Sequence, residues 1–453
     1  MSNQSLDADQ RRGLQLAIGR AESDRNSAGA RPAHLIKDTE TMDDCSAHGP
    51  IPLSLDEAVA RVAQGYGAVT GTEEVPLRQA LGRVLAEEVV APVNVPPADV
   101  SAMDGWAFAA AAGEGFRRLD IVGRVPAGST FDGIVGAGQA VRIFTGAPVP
   151  TGVDTVAMQE DCRTDGDAVL VPASLKRGSN VRLAGEDMTA GAVVLHPGQR
   201  MRAQEVGLAA AVGRSSLTVR KRLTVVLFST GDELREPGTP KPDHAIYDAN
   251  RYTLAAQLDA LGVEVRDLGI LPDRPDATRA ALAEAAGTAD LIVTSGGVSV
   301  GEEDHVKAAV NALGSIDLWT LAIKPGKPLA LGRVGDTPFL GLPGNPVSAM
   351  VTFLLVGRPL VLRLSGATGI ATPRSLVVAD FTFTKKPGRR EFLRARLERG
   401  ADGRPVAVKF PSNSSGVLTS MVEADGLVDM PAEATAVNPG DLVDFLPFTG
   451  LFA

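Results

Sequence analysis

The alternation of apolar and polar positions changes rhythm several times along this chain, and each change marks a boundary. Residues 1–49 are rich in Asp, Arg and Ser without sustained apolar spacing. They read as a mostly disordered extension with room for a short amphipathic helix near residues 11–20. Helical spacing begins after Leu53, where Ser54 has an N-cap's chemistry, Asp56 and Glu57 fill the first turn, and the apolar stripe runs to Val62. A second helix is expected from Leu77 to Leu85. Between Pro92 and Arg182 the period shortens, and β-type runs such as 140–144 and 168–171 alternate with Gly/Pro turns. Helical spacing returns at 203–212. Residues 92–186 therefore read as a β domain inserted into a discontinuous linker domain made of 50–91 and 187–217.

From 218 to 366 strand and helix patterns alternate. Strands are expected at 223–228, 263–268 and 291–294, with helices at 250–261, 276–286 and 302–313. This rhythm predicts a parallel, doubly wound sheet with helices on both faces and ligands at the carboxyl ends of its strands. Residues 367–453 return to short β runs with turns at Pro387-Gly388 and Asn438-Pro439-Gly440, which makes a C-terminal β-barrel-like domain. The fold class is multidomain α/β and β.

A chain of 453 residues exceeds what one core normally holds. A net charge of −9 without a Lys/Arg run argues against nucleic-acid binding, though an acidic protein can gather its basic residues at one anion site. Two cysteines and five scattered histidines give neither a disulfide framework nor metal-ligand spacing. The most apolar helix candidate, 350–364, contains Arg358 and Pro359, and no apolar leader precedes the ordered region. A cytoplasmic protein with no membrane or nucleic-acid partner is expected.

Four loops fall at the expected strand ends. Ser229-Thr230-Gly231-Asp232-Glu233 follows the first strand, and Thr294 to Asp304, including Ser295, Gly296, Gly297 and Ser299, follows the third. Lys324-Pro325-Gly326-Lys327 comes next, and Pro343-Gly344-Asn345-Pro346 opens a helix for which Asn345 is a credible N-cap. Any one loop could be turn chemistry alone, but four at one edge describe a crevice of N–H donors, hydroxyls and lysines suited to an oxyanion. Asp304 in the first turn of its helix is a candidate for metal binding or proton transfer. Asp248 is either a helix N-cap or part of the crevice, and Asp104 before Gly105 is open between a turn and a functional role. Lys385 to Arg390 reads from composition as a solvated hairpin tip.

Taken in order, SAMDGWA from Ser101, RIFTGAPVP from Arg142, MQED from Met158, AGEDM from Ala184, FSTGDEL from Phe228, YDANR from Tyr247, TSGGVSVGEEDH from Thr294, AIKPGKP from Ala322, GLPGNPVSA from Gly341 and PGRREF from Pro387 cover residues 50–453. They resemble the MoeA family of molybdopterin molybdenumtransferases, to which the E domain of gephyrin is related. The resemblance implies a MogA-like α/β domain within a four-domain subunit of a homodimer. It implies insertion of molybdate into adenylylated molybdopterin with Mg²⁺ and release of AMP. Asp248 and Asp304 would hold Mg²⁺. Lys324 and Arg389 would bind molybdate, joined by Lys327. The loops holding Thr230, Gly231, Asp232, Ser295, Gly296, Gly297, Ser299, Pro343, Gly344 and Asn345 would cradle phosphate. Ser101, Asp104 and Glu186 would reach the crevice from a second subunit. Partners would include molybdopterin adenylyltransferase and molybdoenzyme-maturation proteins. A non-catalytic scaffold of gephyrin type and the adenylyltransferase step are the alternatives; retention of every acidic and basic motif position argues against the scaffold, and the AGED and SAMDG motifs with the added domains favour insertion over adenylyl transfer. The chain departs from the family at Val100, where Asn is common, and at Trp106, where Tyr is common. Ser414-Ser415-Gly416 matches only loosely.

Overall fold

In the computed structural model, residues 52–272, 274–297 and 305–451 are described; the extension expected at 1–49 lies outside them. Helix α1 (Leu55–Gly65) begins with a capping box, in which Ser54 accepts from the Glu57 N–H and the Glu57 carboxylate accepts from Ser54. Its stripe of Leu55, Ala58 and Val62 is buried in the core of the α/β sheet, not in that of the linker segments beside it in sequence.

Strand β1 (Thr72–Pro76) is followed by a single 3₁₀ turn at Leu77–Gln79. The helix expected to Leu85 does not form. Gly82 takes φ 76°, a left-handed conformation that ends any helical run, and Val84 and Leu85 form isolated bridges instead.

The inserted unit is a six-stranded mixed sheet of β2 (Gly105–Phe108), β3 (Phe116–Val125), β4 (Gln139–Ile143), β5 (Thr155–Met158), β6 (Arg163–Asp165) and β7 (Ala168–Pro172), in the order β5-β2-β4-β3-β7-β6. The chain enters and leaves it side by side, since Val100–Ser101 pairs with Val181–Arg182. Helix α2 (Ala203–Ala211) and strand β8 (Ser216–Arg220) complete the linker, with β8 antiparallel to β1.

The α/β unit comprises β9 (Thr224–Thr230), α3 (Ala249–Ala260), β10 (Glu264–Leu271), α4 (Pro275–Ala286), β11 (Leu291–Ser295), α5 (His305–Leu313), β12 (Gly314–Thr320), β13 (Ile323–Lys324), β14 (Pro328–Val334), β15 (Thr337–Leu342) and α6 (Pro346–Leu364). Its sheet runs β10-β9-β11-β15-β14-β12. The first four strands are parallel, whereas β14 runs antiparallel to them and pairs antiparallel with the edge strand β12, which therefore runs with the first four. The wholly parallel expectation is thus corrected to a mixed sheet. β14 and β15 are joined by Gly335-Asp336 alone, a two-residue hairpin that can connect only antiparallel strands. Helix α6 is long and apolar enough to cross a membrane but is 89% buried. Arg358 within it donates to the carbonyls of Leu451 (2.6 Å) and Ala371 (3.2 Å), which answers its buried charge with oxygen partners.

The C-terminal strands β16 (Ser375–Ala379), β17 (Arg390–Arg399), β18 (Pro405–Lys409), β19 (Gly426–Met430) and β20 (Leu442–Pro447) close into a barrel, because β17 pairs with both β18 and β19. β13, which belongs in sequence to the α/β unit, is hydrogen-bonded to β17 (Ile323↔Arg390, Lys324↔Glu391). The start of the described chain joins the same seam, with Leu53 N–H donating to Thr320 O (2.7 Å) and Ala322 N–H to Leu53 O (2.8 Å).

Candidate active site

β9, β11 and β15 end together at Thr230, Ser295 and Leu342, and all three residues are buried. Beyond β9, Leu234–Arg235 forms a short parallel ladder with Ile246–Tyr247, and the Asp248 N–H donates to Arg235 O (3.0 Å). That ladder delivers the amino end of α3 to the strand ends. A cleft of about 260 Å³ results, lined among others by Thr230, Asp248, Asn250, Ser295, Gly296 and Gly344.

Asn250 organises this cleft. Its Nδ2 donates to Ser295 Oγ (2.8 Å) and to Gly344 O (2.6 Å), while Ser295 Oγ donates to Pro343 O (3.3 Å). Three loops from distant parts of the chain are tied by one amide and one hydroxyl. Asn250 stands in the YDANR motif with no role visible from the sequence, because spacing cannot show that an amide spans two other loops.

The glycines are required by their conformations. Gly296 and Gly297 take φ 88° and 65°, and a Cβ on Gly296 would stand 2.8 Å from Thr230 O. On Gly297 a Cβ would come within 2.6 Å of Val306 Cγ2. Gly344 differs, since a Cβ there would meet nothing within 4 Å. Gly231 has φ 147°, and Asp232 is exposed beside it. Asn345 sits at the N-cap position of α6 with no side-chain bond to the helix. Ser299 and Asp304 lie outside the described residues.

Asp248 is the N-cap of α3. Oδ1 accepts from the Arg251 backbone N–H (3.1 Å) and Oδ2 from Arg251 Nε (3.1 Å). Arg251 also pairs with Asp267 and Glu236. Burial works against its charge, but Asp267, Asp248 and Glu236 outweigh burial and make the guanidinium more basic than usual. The cap reading is therefore realised, although Asp248 also lines the cleft.

The basic loops meet at the seam between sheet and barrel. β14 is antiparallel to β15, so its first residues lie at the same edge as the carboxyl ends of the parallel strands. Exposed Lys327 immediately precedes it. Lys324 Nζ stands 3.5 Å from Glu391, whose side chain is only 8% exposed. Arg390 is bound to Asp429 and Asp56, whereas its neighbour Arg389 is exposed, as is Lys386 on the other side of the Pro387-Gly388 turn. The Ile323↔Arg390 pairing brings Lys324 and the Arg389 turn to one place.

Ser101, Asp104 and Glu186 are gathered at one end of the inserted unit. Ser101 is buried and donates to Met103 O (2.6 Å). Asp104 accepts from the Thr145 N–H (2.8 Å) and hydroxyl (2.7 Å). The Thr145 N–H, then its hydroxyl, hold the Asp104 carboxyl below the usual aspartate range. Glu186 is exposed and accepts from Leu183 N–H (3.0 Å), and Asp99 bonds the adjoining Ala184 N–H (2.8 Å). Among the described residues, the bonds named for Asp104 and Glu186 stay within this unit.

Comparison with known proteins gives matches along most of the chain. Residues 53–213 match the profile of the MoeA N-terminal region (domain I and II), 226–363 that of a probable molybdopterin binding domain, and 377–448 that of the MoeA C-terminal region (domain IV). A protein of Haemophilus influenzae named molybdopterin molybdenumtransferase is 37% identical over 401 residues, covering 88% of this chain and 99% of its own length. Molybdopterin molybdenumtransferase 2 of Mycobacterium tuberculosis is 37% identical, covering 81% and 92%. The crystal structure of a molybdopterin biosynthesis moea protein from Pyrococcus horikosii superposes with a TM-score of 0.67 at 31% identity, over 88% of this chain and 99% of that one.

Proposed function

The chain belongs to the MoeA family of molybdopterin molybdenumtransferases, and from that premise we propose that it is a transferase inserting molybdenum into molybdopterin to form the molybdenum cofactor. In this reading the substrates are molybdate and adenylylated molybdopterin, and AMP is released. The observation that carries it is the cleft knit by Asn250 from three loops at the strand ends. A pyrophosphate and a pterin phosphate need donors and close backbone approach, which Ser295, Gly296, Gly297 and Gly344 supply.

Lys324, Lys327 and Arg389 would bind the oxyanion at the barrel seam through charge-assisted bonds. Lys324 would exchange Glu391 for the oxyanion, so its position is set before substrate arrives.

Mg²⁺ commonly takes one or two carboxylates, waters and substrate phosphates. Asp248 fits this pattern, since Arg251 occupies two of the roughly four lone-pair sites of its carboxylate and the group lines the cleft. We assign the second carboxylate to Asp304. When bound, the ion would neutralise charge on the phosphates. The protein's own residues hold the pterin phosphate and the oxyanion in register.

We further propose a cytoplasmic homodimer. The bonds that hold Asp104 and Glu186 lie within the inserted unit, so their service in a cleft is best met by a second copy. In that role Ser101 would fix the SAMDG loop, and Glu186 would orient the attacking oxyanion or its water. Two cysteines without a disulfide framework support a reducing compartment. Molybdopterin adenylyltransferase, as supplier of the adenylylated substrate, and molybdoenzyme-maturation proteins are the proposed partners.

The test mixes protein, Mg²⁺, molybdate and adenylylated molybdopterin, and follows AMP release together with reconstitution of an apo-molybdoenzyme. Absence of molybdate-dependent AMP release would overturn the reading. Light scattering tests the dimer.

A further inference from the structure

Helix α6 opens at the strand-end cleft, whose lining includes Gly344 and Pro346. Asn345 holds its N-cap position, where a side-chain oxygen ordinarily accepts from the N–H of the second or third helical residue. Here the N–H of the second residue, Val347, donates to Ser415 O (3.0 Å), a carbonyl of the C-terminal domain. Asn345 makes no side-chain bond to the helix and is exposed. The barrel domain therefore caps the helix, and the residue in the capping position is relieved of that task.

Arg394, on β17, holds the segment between β18 and β19 in which Ser415 lies. It is 2% exposed. Its Nη2 donates to Ser412 O (2.9 Å) and Ser414 O (3.1 Å), and its Nε to Ser420 Oγ (3.1 Å), so its bonds flank Ser415 on both sides. These partners are all neutral, and burial lowers the basicity of the guanidinium. An apolar side chain of similar volume would fill that space without desolvating a charge. It could not fix two carbonyls of an irregular segment, for which the rigid fork of a guanidinium is suited.

We propose that Arg394 is a positioning residue of the cleft, setting the 412–420 segment so that Ser415 O caps α6 and the Asn345 amide is released to the phosphate of the adenylylated substrate. The identity of that substrate rests on the transferase reading; the coupling from Arg394 to Asn345 does not. Without the fork, Ser415 O loses its place, the Val347 N–H is orphaned, and the Asn345 side chain turns inward to accept it. A plainer account is that Arg394 only closes the barrel wall. Its loss would then lower stability throughout the barrel, with no selective effect at Val347 or Asn345.

The experiment uses the full chain with AMP as probe, and Arg394→Lys, which keeps the charge and loses the fork. Amide exchange is followed at Val347, with Val428 in the barrel ladder as reference. Relative to that reference, exchange at Val347 should be unchanged in Asn345→Ala, rise in Arg394→Lys, and rise roughly tenfold in the double variant, which has neither cap. Calorimetry gives the second readout. Asn345→Ala should weaken AMP binding roughly fivefold in the parent and less than about twofold in Arg394→Lys, whose Asn345 amide has already left the cleft. Ser420→Ala, which removes only the Nε acceptor, should show the same pattern at smaller amplitude, and it carries the test if Arg394→Lys does not fold. The proposal fails if exchange at Val347 and Val428 rises together, or if Asn345→Ala weakens AMP binding equally in both backgrounds. A parent that binds no AMP tells against the transferase reading, while exchange at Val347 still decides the coupling.

Discussion

Asn250 and Ser295, 45 positions apart in sequence, are joined by a 2.8 Å hydrogen bond from Nδ2 to Oγ, and the same amide holds Gly344 O. Asn250→Ala removes both donors and leaves a buried serine hydroxyl and a loop carbonyl to find new partners. The expected cost is about 1–2 kcal/mol in stability and roughly a tenfold loss of kcat/KM for AMP release. Asn250→Asp should not rescue, since an ionised carboxylate donates nothing and would stand two residues from Asp248. Urea unfolding and steady-state kinetics check both, and a wild-type rate for Asn250→Ala would remove Asn250 from its positioning role.

Gly296 carries a positive φ against a backbone carbonyl. Gly296→Ala should destabilise by roughly 1–3 kcal/mol and abolish turnover, because Thr230 O, a backbone atom 2.8 Å from the new Cβ, must move with its loop. Gly344→Ala, with open space around its Cβ, should fold normally and fail only in substrate binding. Comparing the two unfolding midpoints separates backbone strain from steric block of the cleft.

Asp104 gives a signed pH prediction. Its folded-state pKa is depressed by the Thr145 N–H and hydroxyl, so its contribution to stability is full above the unfolded value near 3.9. That contribution is lost as pH falls through the lower folded value. The unfolding midpoints of wild type and Asp104→Asn should therefore differ by a constant amount above about pH 5 and converge in stronger acid. A gap that widens on acidification would contradict the Thr145 assignment.

Lys324 and Glu391 should respond in opposite directions. Lys324→Met should raise the KM for molybdate more than tenfold, since a charge-assisted contact is lost. Its stability cost should be only about 1 kcal/mol, because the lysine is half exposed. Glu391→Gln frees the lysine from its competitor and should lower that KM. Parallel changes in both variants would mean that Lys324 serves the barrel seam and not the oxyanion.

Much of the architecture is legible in apolar spacing because the α/β helices and the strands β9 and β11 are local patterns with local caps. Ser54 with Glu57 and Asp248 before α3 are examples. Errors arose where one residue overrides a period. Leu77, Leu81 and Leu85 have helical spacing, but Gly82 turns left-handed and Arg83 leaves for Glu73. The antiparallel edge is also written in the sequence, as Gly335-Asp336 between two apolar runs, but the βα rhythm of the preceding segments masks it. The cleft's organiser was harder to see. Asn250 has an ordinary identity in an ordinary helix start, and only three-dimensional closure gives its amide two loops to hold.

The pairing of Ile323 and Lys324 with the first residues of β17 couples two bodies mechanically. The lysine loop is covalently part of the sheet that ends in the cleft, yet its backbone is strapped to the barrel. A rotation of the barrel would drag Lys324 with it, so the distance between positive charge and cleft is geared to barrel position. A cut or insertion between Ala322 and Gly326 would uncouple that gear, slackening the cationic side of the site while leaving the Asn250 network intact.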